Sequence, residues 1–199
     1  MTSLYLMRHG QTLFNQLNLI QGWCDSPLTA DGIAQAKTAY NYFSSQNISF
    51  DKIYSSTSER CCDTCELASG RTDYTRVKGL KEFNFGRMEG QPEFLHPNRR
   101  PDQLTHEDFY LKYDGESADQ VQARLNKTIT ELMNQADADD TVLTVSHAGA
   151  IMSFFISLEL ADYPELHFSN CCIFHYEVED SQFDLVEIID PVNQKVYGK

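Results

Sequence analysis

The sequence predicts an α/β fold, a three-layer α/β/α sandwich around a mostly parallel central sheet, formed by a single domain. Short apolar runs alternate with stretches of helical apolar spacing as far as Leu158, the pattern of strands whose crossovers cover both faces of one sheet. The chain has 199 residues, is 41% hydrophobic and 23% charged, and is long enough for one domain with a substantial core. No internal repeat or low-complexity segment interrupts it.

Ser3 to Met7 is a short apolar run that ends at polar residues and reads as a buried strand. Thr29 follows Pro27 and suits the N-cap of a helix with Ile33, Ala36, Tyr40 and Phe43 on its apolar face, running to about Ser45. Lys52 to Ser55 is a second strand, followed by a helix from about Ser58 to Ala68 that stops at Gly70. Arg76 to Lys78 is a short third strand. From Glu82 to about Gly115 periodicity fades and prolines accumulate, so this stretch reads as a long excursion, helical near Glu107 to Tyr113. Its core, about 83–114, is a cap or insert, since long loops in compact domains are usually functional. Ser117 then caps a helix carrying Val121, Leu125, Ile129 and Leu132 on one face and ending near Ala136. Thr141 to Val145 is a strand, Gly149 to about Leu158 a helix, and Cys172 to Glu177 and Phe183 to Ile189 form an antiparallel hairpin at one edge.

Composition excludes several classes of partner. A net charge of −13 repels nucleic acid and anionic membrane, so an anionic small molecule would need a local cluster of positive charge. The apolar region from Ile151 to Leu160 is too short and too interrupted to span a bilayer, and Met1-Thr2-Ser3-Leu4 does not open a secretory signal. Six cysteines then read as reduced thiols in a cytoplasmic protein. Cys62-Asp63-Thr64-Cys65 formally matches a metal-binding pair, with Cys171-Cys172 as its imaginable partner. Adjacent cysteines rarely chelate together, and the first pair lies in a helical pattern, so core filling is the better reading and no metal or cofactor is expected. Oligomeric state leaves no mark on the sequence.

The polar residues that carry chemistry fall just past strands. Arg8-His9-Gly10 follows the first, Ser146-His147-Ala148-Gly149 follows the strand ending at Val145, Arg60 lies beyond the second and Glu82 beyond the third. Ligands bind at the carboxyl ends of strands in open α/β sheets. Singly, each residue reads blandly: a chance tripeptide, a structural histidine, a solvated arginine, a surface carboxylate. Together they place two histidines, two arginines and a carboxylate at one edge of one sheet, a set suited to a phosphate ester.

The chain resembles the histidine phosphatase superfamily, also called phosphoglycerate mutase-like. The resemblance rests on Leu6-Met7-Arg8-His9-Gly10-Gln11-Thr12-Leu13-Phe14-Asn15, Gln21-Gly22, Pro27-Leu28-Thr29-Ala30-Asp31-Gly32, Ser55-Ser56-Thr57-Ser58-Glu59-Arg60-Cys61-Cys62-Asp63-Thr64, Leu80-Lys81-Glu82-Phe83-Asn84-Phe85-Gly86-Arg87-Met88-Glu89-Gly90, Gly115-Glu116-Ser117 and Ser146-His147-Ala148-Gly149, in that order. It implies that His9 is a transiently phosphorylated nucleophile and that Arg8, Arg60 and His147 line the phosphate pocket. Glu82 would protonate the leaving oxygen, Asn15 would bond the phosphoryl group, and Gln21 and Gly22 would belong to the substrate site. Physical chemistry is compatible: guanidinium forks match phosphate geometry, and a neutral imidazole is nucleophilic when its other nitrogen is held as a donor. Glu82 needs a raised pKa, which an apolar pocket with Phe83 and Phe85 would favour and the arginines would oppose.

The resemblance covers hydrolases and mutases alike. Mutases typically carry His-Gly-Asn-Ser after the late strand and an arginine five residues beyond that histidine. Here the segment is His147-Ala148-Gly149-Ala150, and Met152 stands at the arginine's place. The Arg99-Arg100 pair lies earlier and in a shorter segment than the mutases' arginine pair, and reads as a solvated turn. The expectation is therefore a phosphatase, with a mutase as the alternative and a catalytically silent phosphate-binding protein behind both.

Overall fold

The computed structural model describes residues 1–98, 103–159 and 168–198; Arg99 and Arg100 lie outside the described residues. Seven strands form one sheet: β1 (Thr2–Arg8), β2 (Lys52–Ser56), β3 (Thr75–Val77), β4 (Thr141–Ser146), β5 (Ile173–Glu179), β6 (Gln182–Asp190) and β7 (Lys195–Gly198). Their order is β3-β2-β4-β1-β5-β6-β7. The first four are mutually parallel, and β5, β6 and β7 extend the sheet with antiparallel pairings.

Strand alternation explains the two core layers. On β1, Leu4 and Leu6 point to one face and pack with Val121, Leu125 and Ile129 of α4 (Ala118–Met133) and Ile151, Phe154 and Phe155 of α5 (Ala148–Ser157). Tyr5 and Met7 point to the other, against Ala36, Ala39 and Phe43 of α2 (Ala30–Ser45) and Cys61, Cys65 and Ala68 of α3 (Glu59–Ser69). Helices thus cover both faces, as the alternating pattern requires. The six cysteines are free thiols, and among them Cys61, Cys65, Cys171 and Cys172 fill the core.

Local signals mark the element ends. Thr29 accepts the Gly32 N–H at the start of α2, Gly70 closes α3 in the left-handed conformation, and Ser117 with Gln120 forms a reciprocal capping box on α4.

Several expectations are corrected. On α2 the buried face is Gly32, Ala36, Ala39 and Phe43, while Ile33 and Tyr40 are exposed, because small residues let the helix lie close to its neighbours. The third strand ends at Val77, and Lys78–Leu80 is a 3₁₀ turn. The β5–β6 hairpin is not at the edge: β5 pairs with β1, and β7 forms the edge instead. Strand β7 leaves no pattern in the sequence, because its four residues are all exposed and carry no alternation. Helix α1 (Leu13–Leu17) is too short to show a period; it is set by a capping box between Thr12 and Asn15.

Candidate active site

Register brings the two histidines together. Arg8 on β1 pairs with Ser146 on β4 in parallel, so His9 and His147 leave adjacent strands side by side. The His9 N–H bonds the Ser146 carbonyl at 3.1 Å, and the two rings meet edge to face with centroids 5.3 Å apart.

His9 is buried, with 4% of its surface exposed. Its Nδ1 lies 2.8 Å from the Gly10 carbonyl, which can only accept, so the proton sits on Nδ1 and the lone pair on Nε2. Burial, followed by the charges of Arg60 and Arg8, holds the imidazole pKa well below its usual range. The ring is therefore neutral at physiological pH with its free lone pair on Nε2. Arg60 Nε donates to that nitrogen over a long 3.3 Å, placing a guanidinium beside the point of attack.

Arg60 is fully buried in a cage of acceptors. Its terminal nitrogens donate to the carbonyls of Cys24 (2.9 Å) and Gly22 (2.7 Å), to Asp25 Oδ1 (2.9 Å) and to His147 Nδ1 (2.8 Å). The Asp25 carboxylate also accepts the Glu59 N–H, so it ties the arginine to the first turn of α3. Since His147 Nδ1 accepts from Arg60, its Nε2 carries the proton and donates to Ser56 Oγ at 2.8 Å. Burial first, then Arg60, depresses the His147 pKa well below the ordinary imidazole range.

A cavity of about 330 Å³ opens in front of His9, a size suited to a small molecule. Arg8, His9, Asn15, Gln21 and Glu82 wall its polar end. Arg8 donates to the Phe168 carbonyl, while its Nε is buried and without a hydrogen-bond partner among the described residues. Asn15 Oδ1 accepts from the Thr12 N–H at 3.2 Å, which leaves the amide nitrogen as the donor Asn15 can offer. Gln21 bridges Thr12 and Ser26 through its own amide.

Arg60, His147 and Gly22 do not line the cavity itself: Arg60 is held by the Gly22 and Cys24 carbonyls, Asp25 and His147, and reaches His9 Nε2 from this cage. Gly22 is forced by close approach: a Cβ there would lie 2.1 Å from the Phe83 carbonyl oxygen.

Glu82 is 6% exposed, and burial raises its pKa even though two backbone N–H groups, Arg60 and Arg8 pull the other way. Its Oε1 accepts the Phe83 N–H and its Oε2 the Gly149 N–H, both at 2.9 Å. Gly149 can approach this closely only without a side chain, since a Cβ would sit 2.6 Å from Glu82 Oε1.

A clasp unseen in the sequence fixes the Glu82 backbone. Arg124 on α4 grips Glu116 with a bidentate fork (3.0 and 2.8 Å) and donates to the carbonyls of Gly79, Lys81 and Glu82. Glu116 in turn accepts the Asn84 N–H, and Trp23 Nε1 donates to the Glu82 carbonyl at 3.0 Å. The signal was the eight-residue spacing from Glu116 to Arg124, just over two helical turns, but nothing in the sequence ties that pair to residues 79–84. Arg124→Lys keeps the charge and loses the fork. We expect kcat to fall about 10- to 100-fold through misplacement of Glu82, with KM little changed, in steady-state assays of the folded variant.

Among the described residues no group of three His, Cys, Asp or Glu side chains is arranged to hold a metal ion, and no helix is long and apolar enough to cross a membrane.

The chain matches the histidine phosphatase superfamily (branch 1) over residues 4–191. It is 30% identical over 169 residues to a 6-phosphofructo-2-kinase/fructose-2,6-bisphosphatase of Caenorhabditis elegans, covering 81% of this chain and 36% of that protein. It is 32% identical over 155 residues to a broad-specificity phosphatase of Saccharomyces cerevisiae, covering 74% of this chain and 66% of that one. The match thus spans less than two thirds of the length of either relative. A 2,3-bisphosphoglycerate-dependent phosphoglycerate mutase of Methylorubrum extorquens is 29% identical over 167 residues, 78% of each chain. Among solved structures, phosphoserine phosphatase of Entamoeba histolytica in complex with 3-phosphoglyceric acid superposes with a TM-score of 0.78 at 27% identity, over 94% of this chain and 96% of that one.

Proposed function

The chain belongs to the histidine phosphatase superfamily, whose members related to it include both phosphatases and phosphoglycerate mutases, and we propose that it is a metal-independent phosphatase that hydrolyses a small phosphate monoester through a phosphohistidine on His9. The observation that carries this reading is His9 Nε2, neutral and flanked by Arg60, in the wall of a cavity that also holds a carboxyl group of raised pKa.

In the first step His9 Nε2 attacks phosphorus, the bond from phosphorus to the ester oxygen breaks, and Glu82 gives its proton to the departing alkoxide. In the second, the Glu82 carboxylate takes a proton from water as that water attacks phosphorus, the P–N bond breaks, and inorganic phosphate leaves. Together the two steps return the starting protonation states. Arg8, whose buried Nε has no hydrogen-bond partner among the described residues, and the Asn15 amide would hold the equatorial oxygens, and the Arg60 charge beside Nε2 would add electrostatic stabilisation, on which phosphoryl transfer chiefly depends. His147 would act mainly through Arg60, and Gln21 and Gly22 by shaping the site. The whole chain would work as one catalytic domain in the reducing cytoplasm, with residues of about 83–114 as a cap over the cavity.

Hydrolysis is favoured over mutation by Met152, an apolar residue in the cavity wall where a mutase would place an arginine. The mutase reading draws on the relatives that carry that name. Incubation with 3-phosphoglycerate, with and without 2,3-bisphosphoglycerate, separates the two. We expect free phosphate as the main product in both; fast conversion to 2-phosphoglycerate with little free phosphate would reverse the assignment.

A further inference from the structure

Part of the cavity wall is aromatic and begins beside Glu82. Phe83 and Phe85 lie stacked in it at 5.7 Å, and Phe85 meets His96 edge to face at 5.6 Å. His96 is kept neutral by burial and bonds the Tyr110 hydroxyl through Nδ1. Met152 of α5 and Phe168 also line the cavity. Among the described residues of the wall the only lysine or arginine is Arg8, which is next to His9 and donates to the Phe168 carbonyl. The one carboxylate besides Glu82 is Glu93, exposed at the mouth.

We propose, building on the phosphatase reading, that this stacked aromatic wall with Met152 and Glu93 selects phosphate monoesters of apolar, ring-bearing alcohols and rejects those whose alcohol half carries a carboxylate. A ring entering between Phe85 and Met152 loses apolar surface to water and meets aromatic faces at stacking distance. A carboxylate packed against these rings is desolvated and is repelled by Glu93.

The test compares 2-phenylethyl phosphate, glycerol 3-phosphate and 3-phosphoglycerate. All three are esters of aliphatic alcohols, so differences in leaving-group basicity stay small. Phosphate release is expected to follow that order, with kcat/KM at least about 10²-fold higher for the first than the last. Calorimetric titration of the same esters into His9→Ala reads the selectivity without turnover. There 2-phenylethyl phosphate should bind at least about tenfold tighter than 3-phosphoglycerate. Glu93→Gln and Met152→Arg should each narrow the ratio by favouring 3-phosphoglycerate. Equal or tighter binding of 3-phosphoglycerate by the parent site overturns the proposal. Selective binding without phosphate release from any ester overturns the phosphatase reading and leaves the selectivity standing.

Discussion

Replacing His9 with alanine should lower turnover of 4-nitrophenyl phosphate by at least about 10⁴-fold, the scale on which loss of a covalent nucleophile acts, while the protein stays folded. The size follows from the geometry. Among the described residues no second nucleophile takes an equivalent position: His147 has both ring nitrogens bonded, to Arg60 and to Ser56, and does not line the cavity. The folded state should survive because His9 Nδ1 bonds only its neighbour's carbonyl. Arg60 loses one of five acceptors, at about 1–3 kcal/mol for a buried donor left unpaired. Circular dichroism melting and steady-state kinetics read the two effects separately. In the parent protein, quenching during turnover into alkaline denaturant should trap a phosphoramidate, visible by ³¹P spectroscopy and absent from the variant. Retained turnover in His9→Ala, or an intermediate still formed there, would sink the covalent mechanism.

Glu82→Gln should divide substrates by leaving group. An aliphatic alcohol must be protonated as it departs, so removing the acid should lower kcat about 10²- to 10⁴-fold. 4-Nitrophenolate departs without a proton, and for its ester the first step should be affected far less. The pH profile carries the same assignment. The proposed mechanism needs His9 unprotonated and Glu82 protonated. His9 titrates well below the usual imidazole range, so the acid limb lies at low pH and the nucleophile is ready at neutrality. Glu82 has a raised pKa, so the fraction in acid form persists to higher pH than for an exposed glutamate and is lost as pH rises through that pKa. For an aliphatic ester the parent kcat/KM should therefore fall on the alkaline side, and Glu82→Gln should lack that limb. A profile of unchanged shape in the variant would remove Glu82 from the acid role. The glutamine also presents an amide nitrogen to one of the two N–H groups of Phe83 and Gly149, so the kinetic comparison is made at a temperature where both proteins are folded.

Strand-to-helix alternation, the caps Thr29 and Ser117 and the stop at Gly70 follow from local physics, and they could be read because each depends on residues within a turn or two of one another. The same holds for placing His9, His147, Arg60 and Glu82 near the strand ends. Short or featureless elements could not be read in this way. Five residues of α1 span little more than one helical turn, and the exposed strand β7 is defined by its pairing with β6 rather than by its own pattern.

By itself, then, the sequence determined an α/β sheet with helices on both faces and a set of phosphate-competent residues at one edge of it. Tertiary structure alone decided which of those residues face the cavity and which support them. Arg60 turned inward because the Gly22 and Cys24 carbonyls and Asp25, remote in sequence, offered a buried cation more hydrogen bonds than an open wall could. Glu82 acquired its raised pKa from burial, and its position from the Glu116–Arg124 clasp on another element. Burial, charge proximity and long-range hydrogen bonds are properties of the packed chain, and no local pattern in the sequence encodes them.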